Sequence, residues 1–162
     1  MSKEKAPVSA AVRHLRSAGI AFTDHLYEYE EKGGTAVSAR ELAVDEYAVV
    51  KTLVMEDEKK NPLIVLMHGN KQVSTKELAR FAGVKTIQPC DPETATRHTG
   101  YVVGGTSPLG IRKPLPIYME RTILDLPKVY INGGKRGYLV GIVPVDLVQV
   151  LHPALVSVAI NK

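Results

Sequence analysis

Lys51 is a lone cation inside an apolar, β-branched run, Val49-Val50-Lys51-Thr52-Leu53-Val54. Two glycine-rich stretches further on could supply the donors that complete a site around it. The first is Gly100-Tyr101-Val102-Val103-Gly104-Gly105-Thr106-Ser107-Pro108-Leu109-Gly110, and the second is Gly133-Gly134-Lys135-Arg136-Gly137. Glycine is expected where the chain needs positive φ or where backbone comes close to another group, and Pro108 stiffens the turn of the first stretch. Successive amides in such loops form a concave donor nest that can hold an anion or a carbonyl oxygen without any side chain. The plainer alternative is a pair of tight turns between strands. Lys51 likewise has two readings: an ammonium on the solvent side of a half-buried strand, or a point charge that fixes a substrate group.

Other chemistries find little support. His14, His25, His68, His98 and His152 are scattered without metal-ligand spacing, and no Ser/His/Asp set accompanies Ser107, which also lacks a Gly-x-Ser-x-Gly frame. Neither glycine stretch is a nucleotide fingerprint. Cys90, the single cysteine, stands between Pro89 and Asp91 at an expected helix start and is read as incidental. It cannot form an internal disulfide, which suits a reducing cytoplasm, and no metal or cofactor is called for. Twenty-one Lys and Arg against 17 Asp and Glu, with pI about 9.1, favour a polyanionic partner without demanding one. Lys135 and Arg136, with Arg112, Lys113 and Arg97, could form a basic rim for backbone phosphates; a charged hairpin tip explains the first pair equally.

The elements that must position these residues follow from periodicity and caps. A chain of 162 residues with 44% hydrophobic content suits one domain over residues 1–162. A helix is expected over Ser9 to Ala18, a strand over Phe22 to Tyr29, and a short helix over Ser38 to Leu42. Val49 to Met55 and Leu63 to Met67 read as an antiparallel hairpin. Ser74 and Asp91 cap two further helices, closed by Gly83 and Gly100. A β-type run covers Tyr101 to Val103. Strands then follow at Ile117 to Glu120, Val129 to Ile131 and Tyr138 to Val143, and a last helix at Pro144 to Leu151. Helices interrupt strands without strict βαβ alternation, so the class is α+β. The start, Met-Ser-Lys-Glu-Lys-Ala-Pro, has no apolar leader run, and no membrane-spanning run occurs.

The two glycine stretches, Tyr130-Ile131-Asn132 before the second, and Val50-Lys51-Thr52-Leu53 upstream make the chain similar to the YbaK/EbsC family of aminoacyl-tRNA deacylases. That family is related to the editing domain inserted in bacterial prolyl-tRNA synthetases. The resemblance runs from the first helix to about His152. It implies a mixed, barrel-like curled sheet flanked by helices, and a trans-editing hydrolase that cleaves the ester of a mischarged aminoacyl-tRNA, Cys-tRNA(Pro) or another small amino acid; the alternative is a non-catalytic module that binds an aminoacyl-tRNA end or a nucleotide without turning it over. It implies roles for Lys51, Gly104 and Gly105 beside the scissile ester. Tyr27, Thr52, Ser107, Asn132, Gly133, Gly134 and Leu139 would contact substrate, and Lys135, Arg136, Arg112 and Lys113 the tRNA backbone. The implied partner is aminoacyl-tRNA, with prolyl-tRNA synthetase as a companion in a ternary complex, and the chain itself a monomer or weak homo-oligomer. In cysteinyl-specific relatives the substrate's own thiol attacks its ester; relatives that clear alanyl-tRNA use water. Two departures bear on specificity. Asn132 stands where cysteinyl-specific relatives carry Ser, and Leu139 where they carry Asp.

Overall fold

The computed structural model describes residues 5–161; Lys162 and the first four residues, which begin the leading stretch considered above, lie outside them. Among the described residues there are five α-helices: α1 (Ala10–Ser17), α2 (Gly34–Leu42), α3 (Thr75–Ala82), α4 (Pro92–Thr99) and α5 (Pro144–Leu151). The strands are β1 (Thr23–Leu26), β2 (Val49–Asp57), β3 (Pro62–His68), β4 (Lys71–Val73), β5 (Ile87–Pro89), β6 (Ile117–Glu120), β7 (Val129–Lys135), β8 (Tyr138–Ile142), β9 (Ala154–Val156) and β10 (Ala159–Asn161). The main sheet runs β1-β8-β7-β2-β3-β6-β9, with β5 also on β2, while β4 and β10 form a separate pair. Pairings β2/β7, β3/β6 and β6/β9 are parallel and the rest antiparallel, so this is the mixed α+β sheet expected.

The caps form as their side chains dictate. Ser9, Ser74 and Asp91 accept from the amides of Val12, Glu77 and Thr94, and Gly83 and Gly100 close α3 and α4 in the left-handed conformation. The continuous apolar run of β3 is explained by burial on both faces. Ile64 and Leu66 pack with Ala11, Val12 and Leu15 of α1, whereas Leu63, Val65 and Met67 pack with Leu78 and Ala79 of α3. A strand covered on both sides needs no polar alternation.

Several boundaries differ from expectation. Only Thr23–Leu26 of the Phe22 to Tyr29 run is strand, because its partner β8 ends at Tyr138 and the chain turns at Gly137. Tyr27 keeps one bond, its N–H donating to the Gly137 carbonyl. Helix α2 begins at Gly34, ahead of Ser38. Tyr101 to Val103 is not strand: Tyr101 is buried and donates its hydroxyl to the Leu109 carbonyl, while Val102 and Val103 are exposed. The second glycine stretch is only partly a loop. Strand β7 continues through Gly133 and Gly134 to Lys135, with a register shift against β8 between Asn132 and Lys135.

The feature that matters for function lies on one edge of β2. β7 pairs with it at Val49 and Val50, and β5 at Met55 to Asp57; the Val54 carbonyl accepts from Cys90 N–H. Between these two partners, residues 51–53 have a neighbouring strand only on the β3 side. The sheet has a gap there.

Candidate active site

A cavity of about 610 Å³ fills the gap. Its lining includes Val50, Thr52 and Val54 from one face of β2 and Val49, Lys51 and Leu53 from the other. A cavity can draw on both faces of one strand because no partner strand closes the edge. Alternation places Lys51 on the face shared by Val49 and Leu53, which belong to different apolar clusters, so the ammonium falls where one cluster ends and the next begins. Its Nζ donates to the Gly69 carbonyl at 3.4 Å, across the end of β3. Thr52 lies on the opposite face. Its Oγ1 is buried and has no hydrogen-bond partner among the described residues.

The wall above Lys51 is the Gly100 to Gly110 loop meeting the β7–β8 hairpin. Asn132 Nδ2 donates to the Gly104 carbonyl at 3.1 Å, and Arg136 Nε donates to the Val103 carbonyl at 2.9 Å. Contact is direct: a Cβ on Gly105 would lie 2.9 Å from the Arg136 nitrogen. Gly104 has φ +90, and a Cβ there would lie 2.5 Å from the Tyr29 hydroxyl. The Arg136 guanidinium sits 5.2 Å from the centroid of the Tyr29 ring. Helix α1 braces this assembly from below, with Ser9 donating to the Gly133 carbonyl and His14 Nδ1 accepting from Gly110 N–H. Buried Leu139 packs with Ala39 and Val49, and with Tyr27 beside them makes one end of the cavity apolar.

Of the residues singled out from sequence, Lys51, Thr52, Tyr27, Gly104, Asn132, Leu139 and Arg136 line the cavity together. Others stand elsewhere. The Gly105 amide, expected to face the substrate, instead donates to the Val102 carbonyl at 2.9 Å. Ser107 is wholly buried, its Oγ accepting from Leu109 N–H. Gly133 is buried under the Tyr138 ring, where a Cβ would run into the ring carbons. Gly134 donates to Asn132 Oδ1, as does Lys135 N–H, so these amides stabilise the bulge and do not open toward the cavity. Lys135 and Lys113 are exposed outside the lining, and Arg112 borders a neighbouring groove. Sequence reasoning missed Tyr29, Val37, Ala95 and Val103 in the wall. Tyr29 was findable, since it stands two residues after Tyr27 and an extended chain brings alternate side chains to one side.

The lining contains no histidine, and its carboxylates, Glu30 and Glu31, are exposed. Burial, reinforced by the Glu56 carboxylate that accepts from its Sγ, pushes the Cys90 thiol up to about 12, so it is neutral and a poor nucleophile. Burial also raises Tyr27 above the ordinary tyrosine value. Among the described residues no three His, Cys, Asp or Glu gather as a metal site, and no helix is long and apolar enough to cross a membrane. The arrangement offers a cation, a buried hydroxyl and backbone polar groups around a space walled largely by apolar side chains.

Comparison with known proteins is consistent in sequence and in fold. Residues 30–150 match the family model of the aminoacyl-tRNA editing domain. EbsC of Enterococcus faecalis, named as a Cys-tRNA(Pro)/Cys-tRNA(Cys) deacylase, is 27% identical over 146 residues, 89% of each chain. Proline–tRNA ligase of Streptococcus equi subsp. equi is 28% identical over 139 residues, which is 83% of this chain and 22% of the ligase. Among solved structures, hypothetical protein APE2540 superposes with TM-score 0.86 at 23% identity, covering 94% of this chain and all of the other. A structure described as a trans-editing enzyme for prolyl tRNA synthetase superposes with TM-score 0.81 at 21% identity, covering 98% of this chain and 99% of that one. The chain belongs to the aminoacyl-tRNA editing domain family.

Proposed function

We propose that the protein is a trans-editing hydrolase that cleaves the ester of mischarged aminoacyl-tRNA, with Cys-tRNA(Pro) or another small aminoacyl-tRNA as substrate. The observation that carries this reading is the clustering of Lys51, Thr52 and Gly104 on one cavity that cuts through the sheet. Lys51 holds the terminal nucleotide or the acyl carbonyl by charge, and the Thr52 hydroxyl, unpaired among the described residues, gains its partner from the substrate. Gly104, at positive φ against the Tyr29 hydroxyl where no side chain fits, keeps the loop backbone at the cavity wall. The amide of Gly105 is engaged in its own turn, so carbonyl stabilisation falls to Lys51 and Thr52.

Among the described residues, no buried carboxylate and no histidine lines the cavity. Proton transfer therefore belongs to water or to a group of the substrate itself: the attacking oxygen or sulfur adds to the ester carbonyl, the C–O bond to the ribose breaks, and the ribose oxygen leaves with a proton. Activated esters need positioning more than strong catalysts. The end of the cavity formed by Tyr27, Val49 and Leu139 selects a small, uncharged side chain, because it is walled by apolar groups. The same interaction would serve with prolyl-tRNA synthetase present, in a ternary complex, or absent.

Single-turnover deacylation of cysteinyl-, alanyl-, seryl- and prolyl-tRNA tests this. At least one small aminoacyl-tRNA should be hydrolysed well above the spontaneous rate. Lys51→Ala should lower that rate at least tenfold, since a charge-assisted contact is worth roughly 1.5–3 kcal/mol. A wild-type protein that binds charged tRNA and hydrolyses none of the panel would establish a binding module instead, and parental activity in folded Lys51→Ala would remove Lys51 from the mechanism.

A further inference from the structure

Beside the main cavity runs a second, shallower groove of about 470 Å³. Three exposed arginines border it, each delivered by a different segment: Arg97 by α4, Arg112 by the chain after Gly110, and Arg136 by the β7–β8 turn. Pro92, Val103 and Arg136 line both spaces, so groove and cavity are contiguous. Thr96 adds a hydroxyl, and Glu93 is the carboxylate in the lining.

The arginines are held by neutral partners rather than by carboxylates, although Asp91 and Glu93 stand near Arg97 at the start of α4. Arg97 Nη2 donates to Thr94 Oγ1 at 3.4 Å. Arg112 N–H donates to the Thr99 carbonyl, and its Nε would lie 3.5 Å from a Cβ on Gly100, so the side chain rests on the cap of α4. Arg136 is fixed by the Val103 carbonyl and the Tyr29 ring. Among the described residues none of the three takes part in an ion pair. Three guanidinium groups against the single carboxylate of Glu93 leave the groove net positive, which favours a polyanion. Val102 and Val103, 54% and 49% exposed, add an apolar ledge on the same loop. Guanidinium forks match phosphate oxygens, and both guanidinium planes and apolar ledges accept stacked bases.

We propose that this groove carries the phosphodiester backbone of the single strand that immediately precedes the aminoacylated nucleotide, leading the RNA end past Arg112 and Arg97 to Arg136 and into the cavity. The proposal rests on the cavity being the aminoacyl-ester site. It assigns a subsite to Arg97 and Arg112 that is distinct from ester cleavage, and it makes Arg136 the point where the two meet.

The test compares two substrates of one amino acid: aminoacyl-tRNA, and aminoacyl-adenosine, which has no phosphodiester. In Arg97→Ala, Arg112→Gln and the double variant, kcat/KM for aminoacyl-tRNA should fall about tenfold per arginine, through KM. The slope of log affinity against log salt should shrink by about 0.7 for each phosphate no longer neutralised. Aminoacyl-adenosine should be hydrolysed at the parental rate. Equal loss on both substrates, or no loss on either, overturns the groove. If the parent protein hydrolyses neither substrate, the ester-site reading fails. Binding of an uncharged single-stranded RNA tetranucleotide then decides the groove by itself: weaker binding in the double variant supports it, and equal binding sinks it.

Discussion

A buried hydroxyl left without a partner costs about 1–3 kcal/mol, and Thr52 Oγ1 is in that position on the cavity wall. Stability and use therefore pull in opposite directions at this residue. Thr52→Val, nearly the same shape without the hydroxyl, should raise the urea midpoint by the equivalent of about 1 kcal/mol at unchanged m-value, while lowering deacylation several-fold. A variant that is both less stable and fully active would mean that the hydroxyl is neither orphaned nor in contact with substrate. Lys51 and Thr52 were legible in the sequence because a cation and a hydroxyl interrupt a run that otherwise demands burial. Gly105 and Ser107 were misplaced for a physical reason: which way an amide or hydroxyl points in a loop depends on the turn it closes, and residue type does not encode that direction. Asn132 shows the same limit. It lines the cavity, yet Oδ1 accepts from the amides of Gly134 and Lys135 and Nδ2 donates to Gly104, so its polar atoms serve the wall as much as any ligand.

At the scale of elements, the caps and the β2–β3 hairpin could be read directly, since short-range patterns determine them. The extension of β7 through Gly133 and Gly134 could not. Two glycines look like a loop, and only the long-range contacts with Tyr138, Tyr101 and Ser9 turn them into a bulged strand. Tyr101 to Val103 fails in the opposite sense: an apolar β-branched run needs a neighbouring strand to become one, and here only Tyr101 finds the core. The short strands β4, β5, β9 and β10 went unseen because three residues carry too little pattern. The meeting of the Gly100–Gly110 loop with the β7–β8 turn is the element-level joint of the site, and Gly105 is where it is tightest. Gly105→Ala places a methyl against the backbone of Lys135 and Arg136, which neither can evade by rotating a side chain. Overpacking of this kind costs about 1–3 kcal/mol. The urea midpoint should fall accordingly, and activity should drop with it because the Val103–Arg136 bond crosses the same joint. A midpoint equal to the parent's would show that the two loops are not in backbone contact.

The stability of the whole molecule depends on pH through groups outside the cavity lining. His68 is fully buried, stacked on Tyr47 at 3.7 Å between ring centroids, with Nδ1 at the Tyr47 carbonyl and Nε2 at Thr122 Oγ1. Burial lowers its pKa below the usual 6.5, and His25 and His98 shift the same way. The unfolded chain then binds these protons more readily than the folded one, so stability is full above 6.5 and declines as pH falls below it. Glu120 acts in a lower window. Burial would raise its pKa, but hydrogen bonds from the amides of Val158, Ala159 and Thr122 outweigh this and lower it. Its contribution is present above about 4.5 and is lost as pH falls through the folded value. Unfolding free energy should decrease between about pH 7.5 and about pH 5.5, and His68→Gln should flatten that slope whatever its effect on stability at the higher pH. An unchanged slope would exclude His68 as a contributor.

The order of strands in the sheet also determines when the cavity can come into existence. β1 lies against β8, and β2 must wait for β7, so the earliest strands in the chain have their neighbours among the latest. Lys51 and Leu139 reach the same wall only after the intervening chain has closed large loops, the kind of long-range pairing that slows folding. During synthesis, a ribosome that has released only the first half of this protein has released Lys51 and Thr52 without the walls that make them a site. The cavity is therefore complete only after the β7–β8 hairpin has emerged, and if it is the ester site as proposed, an N-terminal fragment ending before that hairpin should be inactive.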